Sequence, residues 1–181
     1  MSSLRALVAL AALLWLAPNP VGAETSRVHD VAFVGIDGQE LPLRAFAGQP
    51  LLLVNTASRC GFTDQYADLQ RVWERYRDRG LVVVGMPSGD FNQELGDAAA
   101  IQEFCEVEFG IDFPLTDKLA TRGTDQHPFF AEVERQLGAE ALPRWNFHKY
   151  LVDREGRLVE SWPSRIRPDS SAVHSAIEAV L

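Results

Sequence analysis

Two continuous apolar runs mark the middle of the chain, Leu51–Asn55 (Leu-Leu-Leu-Val-Asn) and Leu81–Met86 (Leu-Val-Val-Val-Gly-Met). Runs this short and without polar alternation predict strands covered on both faces. Between them, Asp64–Arg79 spaces Tyr66, Leu69, Val72, Trp73 and Tyr76 by three or four positions, the pattern of an amphipathic helix, and Gly80 stops it. Strand, helix and strand in this order make a parallel crossover unit. Ahead of it, Val28–Val34 and Glu40–Leu43 flank an Asp37-Gly38 turn and predict a short hairpin. Behind it, the polar loop Pro87–Gly96 leads to Asp97, a helix cap, and to a helix over Ala98–Phe109 that Gly110 ends. A further helix is predicted over His127–Leu137, with Pro128 in its first turn. A hairpin follows, Phe147–Val152 and Leu158–Ser161 around Asp153-Arg154-Glu155-Gly156, and Pro168–Leu181 closes as a helix. The expectation is one three-layer α/β domain whose central mixed sheet, parallel at first and antiparallel at the end, is flanked by helices.

The first residues follow a different pattern. Met1–Arg5 carries one positive charge, Ala6–Leu16 is unbroken apolar sequence, and Val21-Gly22-Ala23 is a small-residue ending. A charged start, about 7–15 apolar residues and an A-x-A-like end predict a secretory signal over residues 1–23, leaving a domain of 24–181 that begins at Glu24. The run is short of the roughly 20 residues of a spanning helix, so the mature protein is expected to lack an integral membrane segment and to be exported, periplasmic or secreted.

Composition narrows the chemistry. With 181 residues, 46% apolar, the chain can bury a core, and its formal charge of −8 argues against a nucleic-acid or anionic-membrane binder. The only cysteines are Cys60 and Cys105, which excludes four-cysteine zinc sites and cysteine-ligated clusters. His29, His127, His148 and His174 are scattered and no cysteines lie close together, so a metallochaperone is disfavoured and no metal or cofactor site is expected. In an oxidising compartment the two thiols could form a static bridge, the reading of a silent structural or interaction domain.

The surroundings of Cys60 point elsewhere. Asn55–Asp64 runs from the end of a buried strand to the start of a helix, the side of an open α/β sheet where chemistry collects. A thiol there meets free backbone N–H groups and the positive end of the helix dipole, and Arg59 adds a neighbouring charge; all three favour the thiolate, which is the nucleophile. Ser, Arg, Gly and Thr around it suit an active thiol better than a cysteine packed under the helix. A thioredoxin-type exchanger would carry a second cysteine three residues on, where Thr63 stands. A lone activated thiolate suits attack on an electrophile such as a peroxide O–O bond.

Four ordered blocks, Val54–Tyr66, Gly85–Glu94, Phe113-Pro114-Leu115 and Trp145-Asn146-Phe147-His148-Lys149, resemble the successive signatures of the glutathione peroxidase family. The resemblance runs from about Val28 to Pro163. It implies a thioredoxin-like fold and hydroperoxide reduction, with Cys60 at the peroxidatic position, Gln93 as the glutamine of the Gln-Glu motif, and Trp145 and Asn146 as its Trp-Asn pair. Gln93, Trp145 and Asn146 each offer an N–H donor able to hold negative charge on sulfur or on the departing oxygen. The chain departs from the family in a Phe91–Glu94 stretch one residue shorter than usual, in Ser88 where a cysteine is common, and in Leu95 where proline usually follows. The segment Gly138–Arg144 is also short, which favours a monomer.

By spacing alone, Cys105 shares an apolar helical face with Ile101, Phe104 and Phe109, the setting of a buried spectator. By resemblance it matches the resolving cysteine of the thioredoxin-dependent branch. The implied cycle is oxidation of Cys60 to a sulfenic acid, a Cys60–Cys105 disulfide, and reduction by a thioredoxin-like dithiol protein. For Cys105 to reach Cys60, the helix Ala98–Phe109 has to open. Its three alanines, its clustered Glu103, Glu106 and Glu108, and the want of a strongly anchored polar terminus are compatible with marginal stability. Glutathione is the alternative reductant, but an acidic chain with only two lysines offers its carboxylates little.

Overall fold

The computed structural model describes residues 27–181, and the expected leader 1–23 lies outside the described residues. A small antiparallel hairpin of β1 (Ala32–Val34) and β2 (Glu40–Pro42) precedes the main sheet. The sheet is built from β3 (Leu51–Thr56), β4 (Val82–Pro87), β5 (Lys149–Val152) and β6 (Leu158–Trp162) in the order β4-β3-β5-β6. The β3–β4 pair is parallel, and β5 and β6 are antiparallel to their neighbours, as the sequence predicts. The helices are α1 (Gln65–Tyr76), α2 (Ala98–Phe109), α3 (Pro128–Leu137) and α4 (Ser171–Val180).

Every residue of β3 and β4 is buried, and the two-residue period of the strand divides them between two cores. Leu52 and Val54 face Tyr66, Leu69 and Val72 of α1, Ile101 and Cys105 of α2, and Val173 and Ile177 of α4. Leu51 and Leu53 face the opposite way, toward Phe129, Phe130 and Val133 of α3. This is the expected three-layer arrangement, with β3 at its centre. Gly85 on β4 is needed for a close approach: a Cβ there would lie 2.5 Å from a Leu115 methyl, so the segment through Phe113-Pro114-Leu115 can lie flush against the sheet edge.

Three expectations are corrected. The first hairpin arm does not run from Val28; Val28–Asp30 forms a 3-10 turn, because Val28 is fully buried and its N–H bonds the Gly156 carbonyl (2.9 Å). The last hairpin does not begin at Phe147, whose φ of 62° takes the chain out of the extended region until Lys149. Nor does α2 lack anchored ends. The Asp97 side chain accepts the Ala100 N–H at 2.9 Å, while left-handed Gly110 closes the other end with its N–H on Glu106 O (3.0 Å) and the Ile111 N–H on Cys105 O (3.2 Å). It is less deeply packed than α1: Ile101 and Cys105 are buried on it, with Phe104 and Phe109 half-buried against the same core.

Candidate active site

Beyond the carboxyl end of β3 the chain makes a tight turn before α1, and Cys60 sits in that turn, 8% exposed. The Phe62 N–H points at its sulfur, 3.4 Å away, so a backbone donor is placed to hold negative charge there. Thr63, standing where an exchanger would have its second cysteine, fixes the turn: its hydroxyl accepts the Cys60 N–H (3.0 Å) and donates to the Cys60 carbonyl (2.7 Å). Arg59 is exposed beside it, and the Arg59 N–H donates to the Gln93 carbonyl at 2.8 Å, which joins the cysteine turn to the loop after β4.

Gln93 and Asn146 meet across that junction. Asn146 is fully buried and its Nδ2 donates to Gln93 Oε1 at 3.0 Å. With its oxygen engaged, the Gln93 amide keeps its N–H groups as donors for the site. The shortened loop is pinned by Asp90, which accepts the Thr121 N–H (2.6 Å) and hydroxyl (2.7 Å). Trp145 is 40% exposed, with its ring 5.3 Å from that of Phe91, so it is a surface aromatic at the site and not part of the core. Among the described residues, the only non-glycine positions with positive φ are Asn92 (56°) and Phe147 (62°), the immediate neighbours of Gln93 and Asn146. Backbone strain is thus concentrated where these two side chains are brought together.

Two buried side chains that the motif reading passed over hold Trp145-Asn146 in place. Asn55, on β3, donates from Nδ2 to the Trp145 carbonyl (3.2 Å) and accepts the His148 N–H at Oδ1 (2.9 Å); its carbonyl takes the Phe147 N–H (2.6 Å). Lys149, fully buried, donates to the carbonyls of Ser164 (3.3 Å) and Ile166 (2.5 Å), and the Ser164 hydroxyl donates to the Asn146 carbonyl (2.6 Å). Burial pulls Lys149 down to about 7, against the upward pull of Asp68 and with the downward push of Arg167. Burial likewise takes His148 to about 4, so it is neutral near pH 7. Cys105, 0% exposed, lies in the same apolar cluster as Cys60, and both cysteines are free. Burial first, then the charges of Glu94 and Glu106, push its thiol up to about 11, against the lowering effect of Tyr66, so it stays protonated at neutral pH.

Comparison with known proteins follows the same lines. The family model described as glutathione peroxidase matches residues 28–134. A hydroperoxy fatty acid reductase of Synechocystis sp. is 42% identical over 146 residues, covering 76% of this chain and 86% of that protein. A glutathione peroxidase-like peroxiredoxin of Chlamydomonas reinhardtii is 42% identical over 150 residues, covering 81% and 91%. Among solved structures, T. cruzi GPX1 superposes with a TM-score of 0.68 at 25% identity, covering 86% of this chain and 96% of that one. A thiol:disulfide interchange protein of the thioredoxin family from Chlorobium tepidum gives 0.60 at 14% identity, over 86% and 97% of the two chains, a likeness of fold. The fold is thioredoxin-like.

Asn55→Ala leaves the Trp145 carbonyl and the His148 N–H without their partner, and should cost about 2–4 kcal/mol in urea unfolding. A loss under about 0.5 kcal/mol would show that Asn55 does not hold the segment. For Lys149, the unfolded chain keeps its proton up to the ordinary lysine range while the folded protein releases it near 7. The unfolded state therefore binds more protons between these values, and stability rises with pH across that window. The stability difference between wild type and Lys149→Met should climb by up to about 1.4 kcal/mol per pH unit from pH 7 to 9.5. A flat difference would mean that Lys149 is not titrating there.

Proposed function

This chain belongs to the glutathione peroxidase family, and we propose that it works as a two-thiol peroxidase in which Cys60 reacts with the peroxide and Cys105 resolves the product. Thiol peroxidase activity follows from family membership; the division of labour between the cysteines is our reading. The Cys60 thiolate attacks the terminal oxygen of a hydroperoxide, the O–O bond breaks, and the departing oxygen takes up a proton to leave as water or an alcohol. Cys60 is left as a sulfenic acid. Gln93 and Asn146, bonded to each other and tied to the cysteine turn through the Arg59 N–H, supply donors for the developing charge, with the Trp145 indole beside them. That junction is the observation on which the reading rests.

Resolution requires Cys105 to leave its buried position. The thiol is protonated and covered while α2 is closed, so local opening of α2 exposes it to the Cys60 sulfenic acid. The disulfide is then reduced by thiolate attack from a thioredoxin-like dithiol protein. An acidic chain with two lysines, a second cysteine on α2 and relatives named peroxiredoxins support that reductant over glutathione. Substrates are hydrogen peroxide and organic hydroperoxides; the hydroperoxy fatty acid reductase among the relatives supports the latter. No helix among the described residues is long and apolar enough to cross a membrane. The signal pattern of residues 1–23 supports export, with the reductant supplied outside the cytoplasm, and the short 138–144 segment supports a monomer.

Peroxide-treated protein, digested without reductant, should yield a Cys60–Cys105 crosslinked peptide by mass spectrometry. Cys105→Ser should consume one peroxide per chain and stall as a sulfenic or overoxidised form. In steady state, thioredoxin should support turnover at least about tenfold faster than glutathione, the gain expected when a second dithiol completes the exchange. Absence of the crosslink would leave a one-cysteine peroxidase in its place.

A further inference from the structure

Unpaired positive charge stands at the mouth of the site. Arg71, Arg77, Arg79, Arg157 and Arg167 each pair with a carboxylate. Arg122, exposed on the loop before α3, pairs with none among the described residues, although the chain carries a formal charge of −8. Its guanidinium is nonetheless held in place: it lies 4.5 Å from the centre of the Phe91 ring and donates to the Asp90 carbonyl. The Asp90 carboxylate is engaged by the N–H and hydroxyl of buried Thr121, which ties the Arg122 loop to the loop that carries Gln93. Phe91 is itself nearly covered, 9% exposed, and its ring centre lies 5.3 Å from that of Trp145. An exposed indole and an unpaired guanidinium thus flank one buried ring, an apolar plate beside a fixed cation.

We propose that Arg122 is a specificity-determining residue, binding the carboxylate of a hydroperoxide that carries its acid on an alkyl chain, with the Trp145 indole against that chain. This rests on the peroxidase reading above and names the substrate class of the same site. An alkyl carboxylic acid is ionised at neutral pH, and the guanidinium keeps N–H donors beyond the one given to Asp90 with which to hold it. Trp145 precedes Asn146 in the chain, and Phe91 lies two residues before Gln93. A molecule lying from Arg122 across Trp145 therefore leads to the bonded Asn146–Gln93 pair, where the peroxide oxygens react. A local cation also offsets the repulsion that an anionic substrate meets from an acidic protein. Hydrogen peroxide has neither chain nor acid to place, and an uncharged organic hydroperoxide uses the indole alone. Arg144, exposed beside Trp145 and also without an ion pair, is the competing cation.

The test follows loss of the Cys60 thiol when the reduced full chain is rapidly mixed with hydroperoxylinoleic acid, with its methyl ester, or with hydrogen peroxide. No reductant takes part in this step, so contacts with a reductant cannot enter the result. Arg122→Gln should lower the acid-to-ester rate ratio about three- to tenfold and leave the hydrogen peroxide rate unchanged. Arg122→Lys, which keeps the charge, should retain most of the ratio, and added sodium chloride should lower the ratio in wild type but not in Arg122→Gln. Equal slowing of acid, ester and hydrogen peroxide in Arg122→Gln would make Arg122 a support of the Phe91 loop and overturn the proposal. So would an unchanged ratio, or a fall that appears in Arg144→Gln instead; both leave the peroxidase reading standing. A wild-type Cys60 that reacts with none of the three overturns that reading as well.

Discussion

Asn55 carries the site. It closes a buried strand, and a leucine there would extend the apolar run and serve the core equally well. Instead its side chain and carbonyl take Trp145, Phe147 and His148, ninety or more residues away in the chain. Asn55 is fully buried, so breaking those bonds leaves its polar groups unpaired, and this favours one position of the segment. Asn146 is thereby brought against Gln93, Phe147 is held in a backbone conformation it would not adopt alone, and Trp145 is left outward at the surface. Lys149 and Ser164 brace the same segment from its other side.

The elements readable from sequence are those whose signal is local. The runs at Leu51 and Leu81 and the three-four spacing of Tyr66, Leu69 and Val72 specify the crossover unit, and Cys60 lies at the strand-to-helix turn where that unit places it. Gln93, Trp145 and Asn146 are readable only as parts of ordered motifs, because no local pattern distinguishes a donor from a solvated polar residue. Asn55, Lys149 and Glu94 act through contacts 15 to 93 residues away, and a single sequence has no term for these. Their signal, in retrospect, is a polar residue at the end of a buried run, or a lysine entering a strand whose pattern is otherwise buried. Thr63 stands where an exchanger would carry its second cysteine, and its hydroxyl shapes the cysteine turn.

Burial of Cys105 sets the demands on α2. A thiol kept protonated and out of water is shielded from oxidation, but it cannot resolve anything until its helix gives way. Both helix ends are capped, and one cap uses the Cys105 carbonyl itself, so opening at that residue breaks the C-terminal closure at Gly110 and Ile111. Beyond the caps, opening has to free the buried Ile101 and Cys105 and the half-buried Phe104 and Phe109, whose rings pack on the same core. Helix α1, with seven buried residues, keeps Tyr66 and the Cys60 turn in place while its neighbour moves. Stability is thus distributed unevenly about the two cysteines.

The most direct measurement is amide hydrogen exchange of the reduced protein and of the peroxide-oxidised protein in the same buffer. Oxidation should strip protection from residues 98–111 and leave β3 and α1 as protected as before. A Cys60–Cys105 disulfide formed with α2 still fully protected would contradict an opening helix, and full protection with no disulfide would contradict the resolving role of Cys105.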